Sequence, residues 1–154
     1  ERTLYFIGVV NPSIIFSDKK NLFSQAQVAL KKALKEIGEE KAKNKTIILL
    51  SHGGMDFDKR IANTFPQINW IIGAHSQAFL RDPLVENKTK IVQVLSRNHY
   101  LGLIRVPLNK DKELSYEQIE VREGLEKEVG WLKKIYKKKL KVKKRKRKTN
   151  VTAS

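Results

Sequence analysis

The chain has 154 residues, 40% of them hydrophobic, which is enough for one domain with a sizeable core. It holds no cysteine, which excludes disulfides, thiolate metal sites and a cysteine nucleophile, and no run approaches the roughly 20 apolar residues of a membrane-spanning helix. The formal net charge of +16 invites a nucleic-acid reading, but the stretch Lys133–Lys148, KKIYKKKLKVKKRKRK, contains no acid, so most of the excess belongs to one end of the chain.

Taken in order, Thr3–Val10 (TLYFIGVV) is an apolar, β-branched and aromatic run that reads as a buried strand, broken by Asn11-Pro12-Ser13. A helix follows from about Asp18 to Glu40: Ser17 or Asp18 can cap it, and Phe23, Ala26, Leu30, Leu34 and Ile37 recur at helical spacing above a lysine- and glutamate-rich opposite face. Thr46–Leu50 (TIILL) is continuously apolar, as strands covered on both faces are, and it runs straight into Ser51-His52-Gly53-Gly54. A short helix over about Phe57–Thr64 leads to a second buried strand, Asn69–Ile72 (NWII), which runs into Gly73-Ala74-His75-Ser76-Gln77. Lys90–Leu95, Tyr100–Leu108 and Ser115–Val121 read as further strands, and Gly124–Leu140 as a last, basic amphipathic helix with Leu125, Val129, Leu132 and Tyr136 on one face. The order β-α-β-α-β followed by more β predicts a mixed α/β sandwich. Beyond Leu140 the apolar content is too low for independent folding, so disorder is expected there.

Two of these strands end in small-residue turns that each carry a histidine. In α/β sheets ligands gather outside the carboxyl ends of strands, glycine-rich turns let backbone approach an ion or phosphate, and paired imidazoles suit transition metals. Gln77, two residues after His75, could turn its amide oxygen to the same focus. One histidine after a strand is usually just a polar loop residue; two such turns bring a metal role level with that reading.

The stretch LLSHGGMDFDKRIANTFPQINWIIGAHSQAFL is similar to the second half of calcineurin-like metallophosphoesterases, especially the 5′-nucleotidase branch, and IVQVLSRNHYLGLIRVPL resembles a later stretch of the same family. The resemblance covers roughly Leu4 to Leu108. It implies an α/β fold, half of a four-layer α-β-β-α sandwich, with residues 1–122 as the C-terminal half of the catalytic domain; the pattern of the residues themselves adds 123–140 as an amphipathic basic helix and 141–154 as a disordered Lys/Arg-rich tail. By the same resemblance His52 and His75 match metal-binding histidines, Gln77 stands where many members have a second histidine, and Gly54 and Gly73 match turn glycines. The resemblance implies two divalent ions (Mn, Zn or Fe) acting on a nucleotide or other phosphate ester. The family's Asp-x-His, Gly-Asp-x-x-Asp and Gly-Asn-His motifs do not occur here, and Asp56 and Asp58 are not their equivalents. The expected partner is therefore a missing N-terminal half, from the same precursor or another chain, with this chain inactive by itself; a decayed, non-catalytic relative is the other option.

Arg97, Asn98 and His99 precede a strand opposite the metal turns and are candidate substrate contacts, although a plain loop role is the commoner one for such residues. The Lys/Arg tail could bind nucleic acid or an anionic surface, link to a further domain, or simply be solvated. The rival to the enzyme is thus a basic nucleic-acid- or anion-binding module on a remnant of the fold. Glu1 in place of Met is expected of a processed or cut chain, and no signal-peptide pattern follows it. The resemblance suggests export to the periplasm or cell surface.

Overall fold

The structure, a computed structural model, describes residues 2–11, 22–95, 99–107, 109 and 111–122. The chain divides into two compact units, Glu1–Ile119 and Glu120–Ser154. The expected final helix, the tail, and the candidates Arg97 and Asn98 lie outside the described residues, as does the expected start of the first helix at Asp18.

In the first unit, β1 (Thr3–Val10), β2 (Lys45–His52), β3 (Trp70–Gly73), β4 (Leu84–Glu86) and β5 (Thr89–Val92) form one sheet in the order β1-β2-β3-β5-β4. All its pairings are parallel except β4 with β5. Helices α1 (Leu22–Glu39) and α2 (Met55–Thr64) connect the parallel strands. The side chains of α1 that recur at helical spacing, Ala26, Leu30, Leu34 and Ile37, are the buried ones. They join Ile47, Leu49, Phe57, Ile61, Phe65, Ile68, Ile71 and Ile91 in one core, with Tyr5, Ile7 and Val9 packed against it. Each such aliphatic contributes about 1.5–3 kcal/mol on full burial. The C-terminal carbonyls of α1 at Ile37 and Gly38 accept from Lys45 Nζ at 2.5 and 3.0 Å, so the first residue of β2 closes the helix with a cation.

The other face of the sheet carries Ile48, Trp70 and Val92, a smaller core that meets Ile72, Ile104, Leu114 and Tyr116. Ile104 and Tyr116 come from a two-stranded sheet, β6 (Tyr100–Arg105) with β7 (Ser115–Glu120). A mixed α/β sandwich was the expectation, and the largely parallel sheet is its arrangement.

Several details differ from the sequence reading: β1, expected to be buried, ends the strand order with Phe6 and Val10 exposed, and Leu50 of β2, expected to be covered, is exposed too. β2 does not stop at Leu50: Ser51 and His52 still pair with Val9 and Val10, so His52 is the last residue of a strand and not part of a turn. Gly73 likewise belongs to β3, level with Ser51. β4, which the sequence did not announce, is only three residues long and is fixed by pairing with β5 around Asn87, whose φ is +56°.

Candidate metal centre

Because β2 and β3 are parallel and in register, their carboxyl ends arrive side by side, with Ser51 opposite Gly73. Successive strand residues point to opposite faces. Ser51 is buried and donates its hydroxyl to Asp58 Oδ1. His52, one residue on, is exposed. The chain then turns through Gly53 and Gly54. A Cβ on Gly53 would sit 2.1 Å from Phe57 Cδ1, and Gly54 has φ +82°, so neither position accommodates a larger residue without strain. Gly54 caps α2, whose first turn carries Asp56 and Asp58.

The second turn brings His75 towards His52. Their ring centroids lie 5.3 Å apart at an interplanar angle of 67°. His75 and Gln77 both adopt left-handed backbone, with φ of +77° and +54°. Such conformations cost a non-glycine residue roughly 1–2 kcal/mol each, so neighbouring contacts must hold them. Gln93, just past β5 and 2% exposed, does so with its amide. Its Oε1 accepts from Ser76 Oγ at 2.7 Å and Ala78 N at 2.6 Å, and its Nε2 donates to Ala74 O at 3.1 Å. Ser76 Oγ in turn accepts from Met55 N at 3.2 Å.

Comparison with known proteins bears on the fold that carries these turns. No protein-family model matches the chain. An uncharacterized metallophosphoesterase, YunD, of Bacillus subtilis (strain 168) is 29% identical over 107 residues, which are 70% of this chain and 23% of that protein. A solved structure of the Thermus thermophilus sulfate thiohydrolase SoxB, in complex with glycerol, superposes with a TM-score of 0.59 and 22% identity over 77% of this chain and 23% of that one. This chain carries the C-terminal part of a calcineurin-like metallophosphoesterase fold. It spans less than a quarter of the length of either of these relatives.

In this metallophosphoesterase fold the described donors suit a divalent ion. Two imidazoles from neighbouring strand ends, both on the solvent side, are borderline donors of the kind Mn, Zn and Fe accept. The set is partial: among the described residues no group of three or more His, Asp or Glu stands together as a metal cluster. Gln77 is exposed in the same turn as His75. Of the substrate candidates, only His99 is described; it is exposed.

Sequence reasoning missed the polar residues that support the site: Asp58 and Gln93, which are buried, and Ser76, which is exposed. For Asp58 the signal was present: Phe57, Asp58, Ile61, Ala62 and Phe65 form one helical stripe, so the acid lies on the apolar face. Burial pushes the Asp58 carboxyl up to about 6, against the smaller lowering effect of the Ser51 hydroxyl. Its Oδ2 meets no hydrogen-bond partner among the described residues and faces Gly73, where an added Cβ would stand 2.3 Å from Oδ2 and 2.9 Å from Gln93 Nε2. Gly73→Ala is therefore expected to lower stability by about 2 kcal/mol, as overpacking does. Urea unfolding checks this; an unchanged midpoint would show that the carboxyl and the amide can step aside.

Proposed function

We propose that the chain is part of a metal-dependent phosphoesterase of the 5′-nucleotidase kind, with His52, His75 and Gln77 as its share of a dinuclear site. The observation that supports this most is the delivery of two imidazoles, 5.3 Å apart, from adjacent parallel strand ends within a metallophosphoesterase fold. His52 and His75 would each offer a neutral ring nitrogen, and Gln77 its side-chain oxygen, a weaker donor suited to an exchangeable ion. Divalent ions held there would supply Lewis-acid stabilisation of charge on the phosphoryl oxygens. Two imidazoles and one amide are too few donors for two ions, so the remaining ligands come from polypeptide other than the described residues. Its expected source is an N-terminal half of the domain, in the periplasm or at the cell surface.

The test is Mn²⁺-dependent hydrolysis of an aryl phosphate and of nucleoside 5′-monophosphates by the chain joined to such a half. The joined protein is expected to turn over both, and the chain by itself neither. A joined protein that is inert with every divalent ion tried would sink the reading. The rival reading, a non-catalytic remnant acting as a basic nucleic-acid- or anion-binding module, rests on the acid-free run Lys133–Lys148. It expects salt-sensitive polyanion binding that disappears on deleting 137–148 and ignores His52.

A further inference from the structure

We infer that Ser76 and Gln93 are positioning residues that clasp the two histidine turns together and so set the geometry with which His52 and His75 meet a metal ion. The inference rests on the metal-site reading above and deepens it. Four hydrogen bonds carry it. Gln93 Oε1 accepts from Ser76 Oγ and Ala78 N, and its Nε2 donates to Ala74 O, so one amide grips the His75 turn before, within and after the Ser76-Gln77 pair. The fourth bond crosses between turns. Ser76 Oγ accepts the Met55 amide hydrogen, and Met55 directly follows the Ser51-His52-Gly53-Gly54 segment as the first residue of α2.

The energetics favour a dedicated clasp over incidental contact. His75 and Gln77 at positive φ together carry strain of roughly 2–4 kcal/mol. Intramolecular hydrogen bonds contribute about 0.5–1.5 kcal/mol each, so the three partly buried Gln93 bonds are of the size needed to offset it. Both turn residues are exposed and neither contributes to the described hydrophobic core. Releasing the clasp would let the turn relax and the imidazoles separate while the sheet keeps its packing.

The chain has three histidines, His52, His75 and His99, so its imidazole NMR signals are few enough to follow individually. In the full chain, added Mn²⁺ is expected to broaden the His52 and His75 signals together and ahead of His99. Ser76→Ala and Gln93→Ala are expected to need at least about tenfold more Mn²⁺, the range found when groups that orient metal ligands are removed. Ser76→Thr, which keeps the hydroxyl, should behave as the unaltered chain. Wild-type broadening in both alanine variants would overturn the clasp. A second readout is independent of metal: the ring-to-ring nuclear Overhauser effect between His52 and His75. It should persist in Ser76→Thr and vanish in both alanine variants; its survival in them also overturns the proposal. If His52 and His75 of the unaltered chain respond to Mn²⁺ no earlier than His99, the metal reading fails while the ring-to-ring effect still decides the clasp. Should Gln93→Ala lose its dispersed amide spectrum, Ser76→Ala, which removes only an exposed-turn hydroxyl, carries the test.

Discussion

Alanine at His52 or at His75 is expected to reduce metal-dependent aryl phosphate hydrolysis by about a thousandfold in the chain joined to the rest of its domain. The size follows from the several kcal/mol of charge stabilisation that metal coordination supplies, at 1.36 kcal/mol per tenfold in rate. Both side chains are exposed, so their loss opens no cavity, and the unfolding free energy should move by less than about 0.5 kcal/mol. The two substitutions act on one centre, so the double variant should be scarcely worse than either single one. Gln77→Ala should be milder, since an amide oxygen is the weaker donor. Full activity in the double variant, with the fold intact, would remove these histidines from the chemistry altogether.

The second large effect concerns stability and pH, and it centres on Asp58. Its side chain is 0% exposed, with one oxygen on Ser51 and the other without a described partner, and burial raises the carboxyl from 3.8 to about 6. Below about pH 4 the folded and unfolded chains both hold the proton, and the group costs nothing. Between about pH 4 and pH 6 the unfolded chain releases its proton while the folded chain keeps it, so stability falls as pH rises. Above about pH 6 the full cost remains, on the order of 3 kcal/mol for a shift of this size. Asp58→Asn keeps an acceptor for the Ser51 hydroxyl and cannot ionise. Relative to the native residue it should therefore gain about 3 kcal/mol in urea unfolding on going from pH 3 to pH 7.5. Parallel pH profiles for the two proteins would mean that the carboxylate is solvated in a way its burial does not suggest.

Much of the fold was legible because it rests on apolar runs. TLYFIGVV, TIILL and NWII could not be anything but strands once two amphipathic helices stood between them, and their carboxyl ends gave the two histidines. The strands' true limits were not legible. His52 and Gly73 are held in the sheet by pairing with Val10 and Ser51, a tertiary fact that local composition does not carry. β4 was missed because three residues, Leu84–Glu86, are too short for any period to show. The site's supports were missed for a different reason. Neither Asp58 nor Gln93 was assigned a place in the core, yet both are buried, one inside a helix stripe and one past a strand's end. Only the hydrogen bonds explain why they are there: Gln93 satisfies a turn whose backbone would otherwise be strained, and Asp58 holds Ser51.

The alternation at the end of β2 has a consequence for how this protein can change over time. Ser51 faces the helices and His52 faces solvent only because they are consecutive residues of one strand. Loss or gain of a single residue anywhere in the paired part of β2 would exchange these roles, turning the imidazole under α2 and the hydroxyl outward. No single substitution does comparable harm to the relation between the two layers. Length variation among proteins that share this arrangement should therefore collect in the connections, such as the stretch between Gln77 and β4, and spare the eight residues of β2.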